Sequence, residues 1–174
     1  MNPVRTYSYL TLARTRLFDC IRPLTVEQYR ATHPIGLETI ARTLHHVMAA
    51  EGSYMRRVRG ATDPWSPPNQ AQDPEVCAED AMPFAQLEAT WITQAAATEA
   101  DIGAVSDWDT PRVYTTVWEG KPYRYRATTA DILSQLVLHE IHHRAQVMHM
   151  LRRTGIDAGE LDYNALMWTP VETP

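Results

Sequence analysis

Two cysteines in 174 residues, Cys20 and Cys77, leave no basis for a disulfide scaffold. They lie far apart with no C-x-x-C partner, which excludes the common zinc-ribbon and redox spacings and points to reduced thiols. Positive charge is also short: 16 Lys and Arg against 21 Asp and Glu give a net charge of -5. The chain therefore has no global attraction for nucleic acid. The basic trio Arg56, Arg57 and Arg59 sits at an expected helix end, where cations complement the dipole, and reads as solvated. No apolar run reaches membrane-spanning length, and the N-terminus lacks the apolar core of a signal peptide. No internal repeat or low-complexity tract appears. The expectation is a single domain over residues 1–174, soluble and cytoplasmic, with no nucleic-acid or membrane partner.

The chain does have long stretches of helical periodicity. Val4 to Ile21 places Tyr7, Leu10, Leu12, Leu17, Phe18 and Ile21 at apolar positions and ends before Pro23. Thr25 and Gln28 have the spacing of a capping box on a short helical turn. A second long helix is expected from Leu37 to Arg57, with Ile40, Leu44, Val47, Tyr54 and Val58 as its stripe. The segment from Gly60 to Pro83, rich in proline, reads as a long connection, and Trp65 in it is expected to pack on the body. A third helix is expected over Phe84–Ala104, with Leu87, Trp91 and Ile92 apolar and Ala95, Ala96 and Ala97 permitting close approach. Val113–Trp118 and Tyr123–Arg126, joined through Gly120, read as a hairpin. Thr128 or Thr129 then caps a fourth helix running to Arg153, with Asp131 in its first turn, and the tail can fold back as a short helix. The fold class is all-α, a four-helix bundle with a long crossover and a small β-hairpin before the last main helix.

The fourth helix carries Leu138-His139-Glu140-Ile141-His142-His143-Arg144-Ala145-Gln146. His139 and His143 are four residues apart, about 40° around a helix axis, so one face presents both. Two imidazoles at that spacing can hold one metal ion. The plain alternative is a pair of core histidines satisfied by hydrogen bonds. His139-Glu140-x-x-His143 also spells the H-E-x-x-H pattern of zinc proteases, with His149 at the third-histidine position of its longer form. That reading is disfavoured. The longer form needs glycine where this chain has Gln146, so the helix continues and carries His149 off the site. A third ligand must come from elsewhere. His33 precedes a proline in a loop, and His45 and His46 lie in the second long helix, where periodicity does not choose between them.

The motifs Thr43-Leu44-His45-His46-Val47-Met48-Ala49-Ala50-Glu51 and His139-Glu140-Ile141-His142-His143-Arg144-Ala145-Gln146 resemble the DinB-like (damage-inducible, YfiT-like) metalloprotein superfamily. In that family the second helix reads L-x-H with an acidic residue five places on, matched by Leu44, His46 and Glu51. The fourth reads H-x-x-x-H-R-[GA]-Q, matched by His139, His143, Arg144, Ala145 and Gln146. The resemblance implies an up-down-down-up bundle and a divalent metal, nickel or zinc, held by His46, His139 and His143. It also implies a homodimer and, in related branches, thiol-dependent S-transferases or isomerases using a low-molecular-weight thiol.

Three imidazoles leave a divalent metal with room for water or a substrate atom. Glu140, about 100° around the helix from His139, is a candidate general base, with a solvated glutamate as its alternative. Glu51 is a candidate proton acceptor or ligand-orienting partner, or else a surface ion-pair residue. Gln146 and Arg144 are candidates to orient ligands or to pair across a dimer, with Arg144 expected to be structural. The functional expectation is a metal-dependent thiol transferase or hydrolase acting on a small molecule; the alternative is a non-catalytic metal-binding stress-response protein.

Overall fold

A computed structural model describes residues 2–62, 82–118 and 120–169. Most of the proline-rich connection, with Trp65 and Cys77, falls outside them. The described chain is mostly helical, with six helices and one two-stranded antiparallel sheet.

Helix α1 (Pro3–Ile21) opens with proline in its first turn, and the Asn2 side chain accepts a hydrogen bond from the Arg5 amide at 3.0 Å. The one-turn α2 (Val26–Arg30) has the expected box: Thr25 Oγ1 accepts from the Gln28 amide and Gln28 Oε1 from the Thr25 amide. Helix α3 (Ile40–Val58) begins three residues later than the periodicity suggests. Gly36 and Glu38 adopt φ of 54° and 69°, outside helical space, and Thr39 supplies the cap to the Arg42 amide.

Helix α4 (Phe84–Ala104) matches the expected span. Strands β1 (Pro111–Trp118) and β2 (Lys121–Thr128) pair with Tyr114 opposite Tyr125. Helix α5 (Thr129–Arg153) starts from a Thr128–Asp131 capping box and ends before Gly155, whose φ of 86° stops the helix. The short α6 (Tyr163–Met167) lies in the tail.

Helix α5 packs most extensively on α3, while α1 packs on α4 and α5, and α4 also on α3. Leu10, Leu17, Leu44, Val47, Leu87, Leu136, Val147 and Met150 form one core with Trp91 fully buried in it. Two positions expected inward face solvent: Leu12 and Ile92 are 36% and 62% exposed. At 100° per residue Leu12 falls on the face of α1 away from its buried positions, and Ile92 falls beside the Leu87, Trp91, Thr98 and Ile102 stripe of α4. The tail is clamped to α1: Tyr9 donates to the Leu161 carbonyl at 2.9 Å, and Arg5 Nη2 to that of Met167 at 2.7 Å. No described helix is long and apolar enough to cross a membrane.

Candidate metal centre

The α3–α5 contact brings one histidine of α3 against two of α5. The rings of His46, His139 and His143 stand with centroids 4.5–4.9 Å apart. One ligand atom from each lies within 4.8 Å of the others. His46 Nε2 and His139 Nε2 are 2.9 Å apart. With metal–nitrogen bonds of about 2.1 Å, two ligands at a right angle sit roughly 3 Å apart, so the spacing suits a shared cation. A cation site also needs unprotonated rings. Burial, then the neighbouring imidazoles, pushes His46 down to about 4 and His139 to about 3, and burial lowers His143 as well. Neutral imidazoles are the ligating form.

Gln146 sets one of these rings. Its Oε1 accepts from His143 Nδ1 at 2.9 Å, and its Nε2 donates to His142 Nε2 at 2.9 Å. A proton fixed on Nδ1 leaves the His143 Nε2 lone pair free for a metal. The loop before α3 lies directly on this amide: a Cβ built on Gly36 would stand 2.3 Å from Gln146 Oε1. Glycine suits the positive φ there, and any larger side chain would have to displace the Gln146 amide.

The α3 choice left open by periodicity falls to His46. His45 is half-buried and His33 buried, and neither joins the cluster. His142 and His149 are exposed on α5; the helix continues through Gln146, as expected, and His149 stays outside the cluster.

Glu51 and Glu140 occupy a different place from the one expected of acid–base groups beside a metal. Both are buried, 2% and 4% exposed, so neither is a solvated surface residue. Their carboxylates meet at Arg14 of α1, whose Nη2 donates to Glu51 Oε2 at 2.9 Å and to Glu140 Oε2 at 2.6 Å. Glu140 Oε1 accepts from Arg14 Nε at 3.2 Å. Glu51 also accepts from Tyr7 and Thr98 hydroxyls at 2.7 and 2.8 Å and from the Trp91 indole at 2.9 Å. The 100° step from His139 to Glu140 turns the carboxylate into the core rather than over the ligand rings. Burial pushes the Glu140 carboxyl up, against the opposing pull of Arg14. Arg144, on the buried side of α5, donates to the Tyr9 hydroxyl and is not part of the histidine cluster. Arg14 carried no sequence signal, because its partners lie 37 and 126 residues away.

The sequence profile of the DinB family matches residues 1–173. The chain belongs to the DinB family. Comparison with curated proteins finds no match. In this DinB-family chain the three histidines form a cluster that can hold a metal ion, with three protein ligands among the described residues.

Proposed function

We propose that this chain is a single-domain, up-down-down-up four-helix bundle that binds one divalent metal ion, nickel or zinc, through His46, His139 and His143. On this reading it is a metal-dependent enzyme acting on a small molecule, by thiol-dependent S-transfer or by hydrolysis. The observation that carries the reading is the meeting of three half-buried, neutral imidazoles with Nε2 atoms of His46 and His139 2.9 Å apart. Three ligands suit an open site better than a closed structural one.

A divalent cation in such a site supplies Lewis acidity that ionises a water or a thiol near neutral pH. The chain's own residues do the rest. The three rings fix position, Gln146 holds the His143 tautomer, and burial keeps the imidazoles free of protons. Glu51 and Glu140 act through the scaffold, since their oxygens are already engaged by Arg14 and its neighbours. Homodimer formation and a cytoplasmic location belong to the same proposal and rest on the family resemblance.

Turnover of electrophiles by metal-loaded protein, with and without a low-molecular-weight thiol, tests the reaction class. Activity only with thiol supports the transferase branch, and activity without it supports the hydrolase branch. Tight metal with no turnover of either kind favours the non-catalytic alternative.

A further inference from the structure

Along α3, His46, Ala50, Tyr54 and Arg57 follow one another at steps of four, four and three residues and so share a stripe. Their contacts lead away from the histidine cluster. The Tyr54 ring stands edge-on to His139 with centroids 5.8 Å apart, and Gln135 of α5 donates to the Tyr54 hydroxyl at 3.4 Å. Arg57 Cζ lies 5.5 Å from the Tyr54 ring centre and 4.4 Å from that of Tyr114 on the hairpin. Tyr114 in turn stands beside Tyr125, its cross-strand partner, at 5.8 Å. A chain of aromatic contacts thus joins a histidine of the cluster to an arginine clasped by two tyrosines.

A helix-end cation complementing the dipole is the plain reading of Arg57, and it was the expectation from sequence. Its surroundings go further than that. Arg59 pairs with Asp101, as a surface arginine commonly does. Arg57 is half-buried and has no carboxylate within ion-pair distance among the described residues. Aromatic faces hold a guanidinium flat while leaving its in-plane N–H fork available. That fork matches the two oxygens of a carboxylate.

We infer that Arg57 binds the anionic end of a small organic anion whose other end reaches the three-histidine cluster. The inference rests on the metal-site reading above and names the substrate class of that site. Tyr54 and Tyr114 are positioning residues that hold the guanidinium, and the Tyr54 ring forms the wall between the two ends. The two contacts of 5.8 and 5.5 Å bound the span between the His139 ring and the guanidinium. That bound is roughly the length of an extended tripeptide, about 11 Å. An arginine near a helix C-terminus leans back toward the N-terminal turns, which shortens the gap along α3.

The probes are monohydroxamates of linear dicarboxylic acids with four to eight carbons, each beside the neutral amide that replaces its free carboxylate. The hydroxamate end chelates a metal, and the chain length samples the span. Affinities are measured by calorimetry on zinc-loaded wild type, Arg57→Met and Arg57→Lys, with circular dichroism checking that each variant folds. In wild type, at least one acid binds about tenfold or more tighter than its amide. Arg57→Met abolishes that preference without weakening the amides, and Arg57→Lys restores part of it. Equal affinity of acids and amides at every length in wild type overturns the inference, as does a preference kept in Arg57→Met. If acids and amides both fail to bind and the protein retains no zinc, the metal reading falls and takes the inference with it. If both bind equally, the inference alone falls.

Discussion

Two polar clusters lie side by side in this molecule, built from neighbouring residues of the same two helices. His46 and Glu51 share α3, and His139 and Glu140 are adjacent on α5. One cluster is closed. Glu51 and Glu140 meet Arg14, and donors from Tyr7, Trp91 and Thr98 fill the remaining oxygens, so four helices are tied at one point. The other is open: three imidazoles turn their ligand atoms toward one another, and no carboxylate among the described residues joins them. A buried charge needs partners, and the first cluster supplies them internally. Half-buried neutral imidazoles need no counter-charge, and on the proposed reading they are where the chemistry takes place.

This contrast separates stability from metal binding, and the variants that test it fall in order of size. Glu51→Ala strips four donors of their acceptor and leaves Arg14 with one carboxylate. It is expected to cost about 3–5 kcal/mol, read by denaturant melting of the metal-free protein. His46→Ala in the same metal-free protein is expected to cost far less, because its ring takes part in no such network. Equal losses from the two would erase the distinction between closed and open clusters.

Gln146→Ala comes next. Freeing His143 Nδ1 is expected to weaken metal binding about 10- to 100-fold while the fold persists, as judged by competition with a chromophoric chelator. Gly36→Ala attacks the same hydrogen bond from the loop side. Its Cβ displaces the Gln146 amide, and the residue must hold a φ of 54°, a strain of about 1–2 kcal/mol. Metal affinity should fall in the same direction as in Gln146→Ala and by less. An unchanged affinity would show that the loop does not set the ligand.

The pH dependence tests the same contrast through the imidazoles themselves. Unfolded histidines take up protons near pH 6.5, while folded His46 and His139 resist until about 4 and about 3. The unfolded chain therefore binds more protons across that window, and acidification favours unfolding. Metal-free protein should melt at progressively lower temperature from pH 6.5 toward 4, with these groups contributing no slope above 6.5. The His46→Ala/His139→Ala double variant should flatten that dependence. A slope unchanged in the double variant would place its origin elsewhere.

The open cluster was more legible in the sequence than the closed one, and the reason is locality. His139 and His143 announce a shared face through a four-residue spacing, and family resemblance singled out His46 where periodicity could not. Glu140 was readable only as an angle from His139. What it faces depends on Arg14, 126 residues away, and helical periodicity carries no information about that partner. Arg57 was lost for the same reason, since Tyr114 reaches it only because the hairpin folds over the end of α3. Helix ends were legible where caps were local, as at Thr25 and Thr128. They slipped at Leu37, because the left-handed turn at Glu38 is closed by backbone hydrogen bonds to Ile35 and His33 and carries no glycine or proline signal at that position.

The most direct test of the central claim is metal content per chain by elemental mass spectrometry, on tag-free wild type and on His46→Ala, His139→Ala and His143→Ala. The account predicts close to one nickel or zinc per wild-type chain and its loss in all three variants, with Glu51→Gln retaining it. Metal retained in His46→Ala would contradict the ligand set. No metal in wild type, even after incubation with nickel or zinc, would contradict the metal centre itself and leave three half-buried histidines between packed helices.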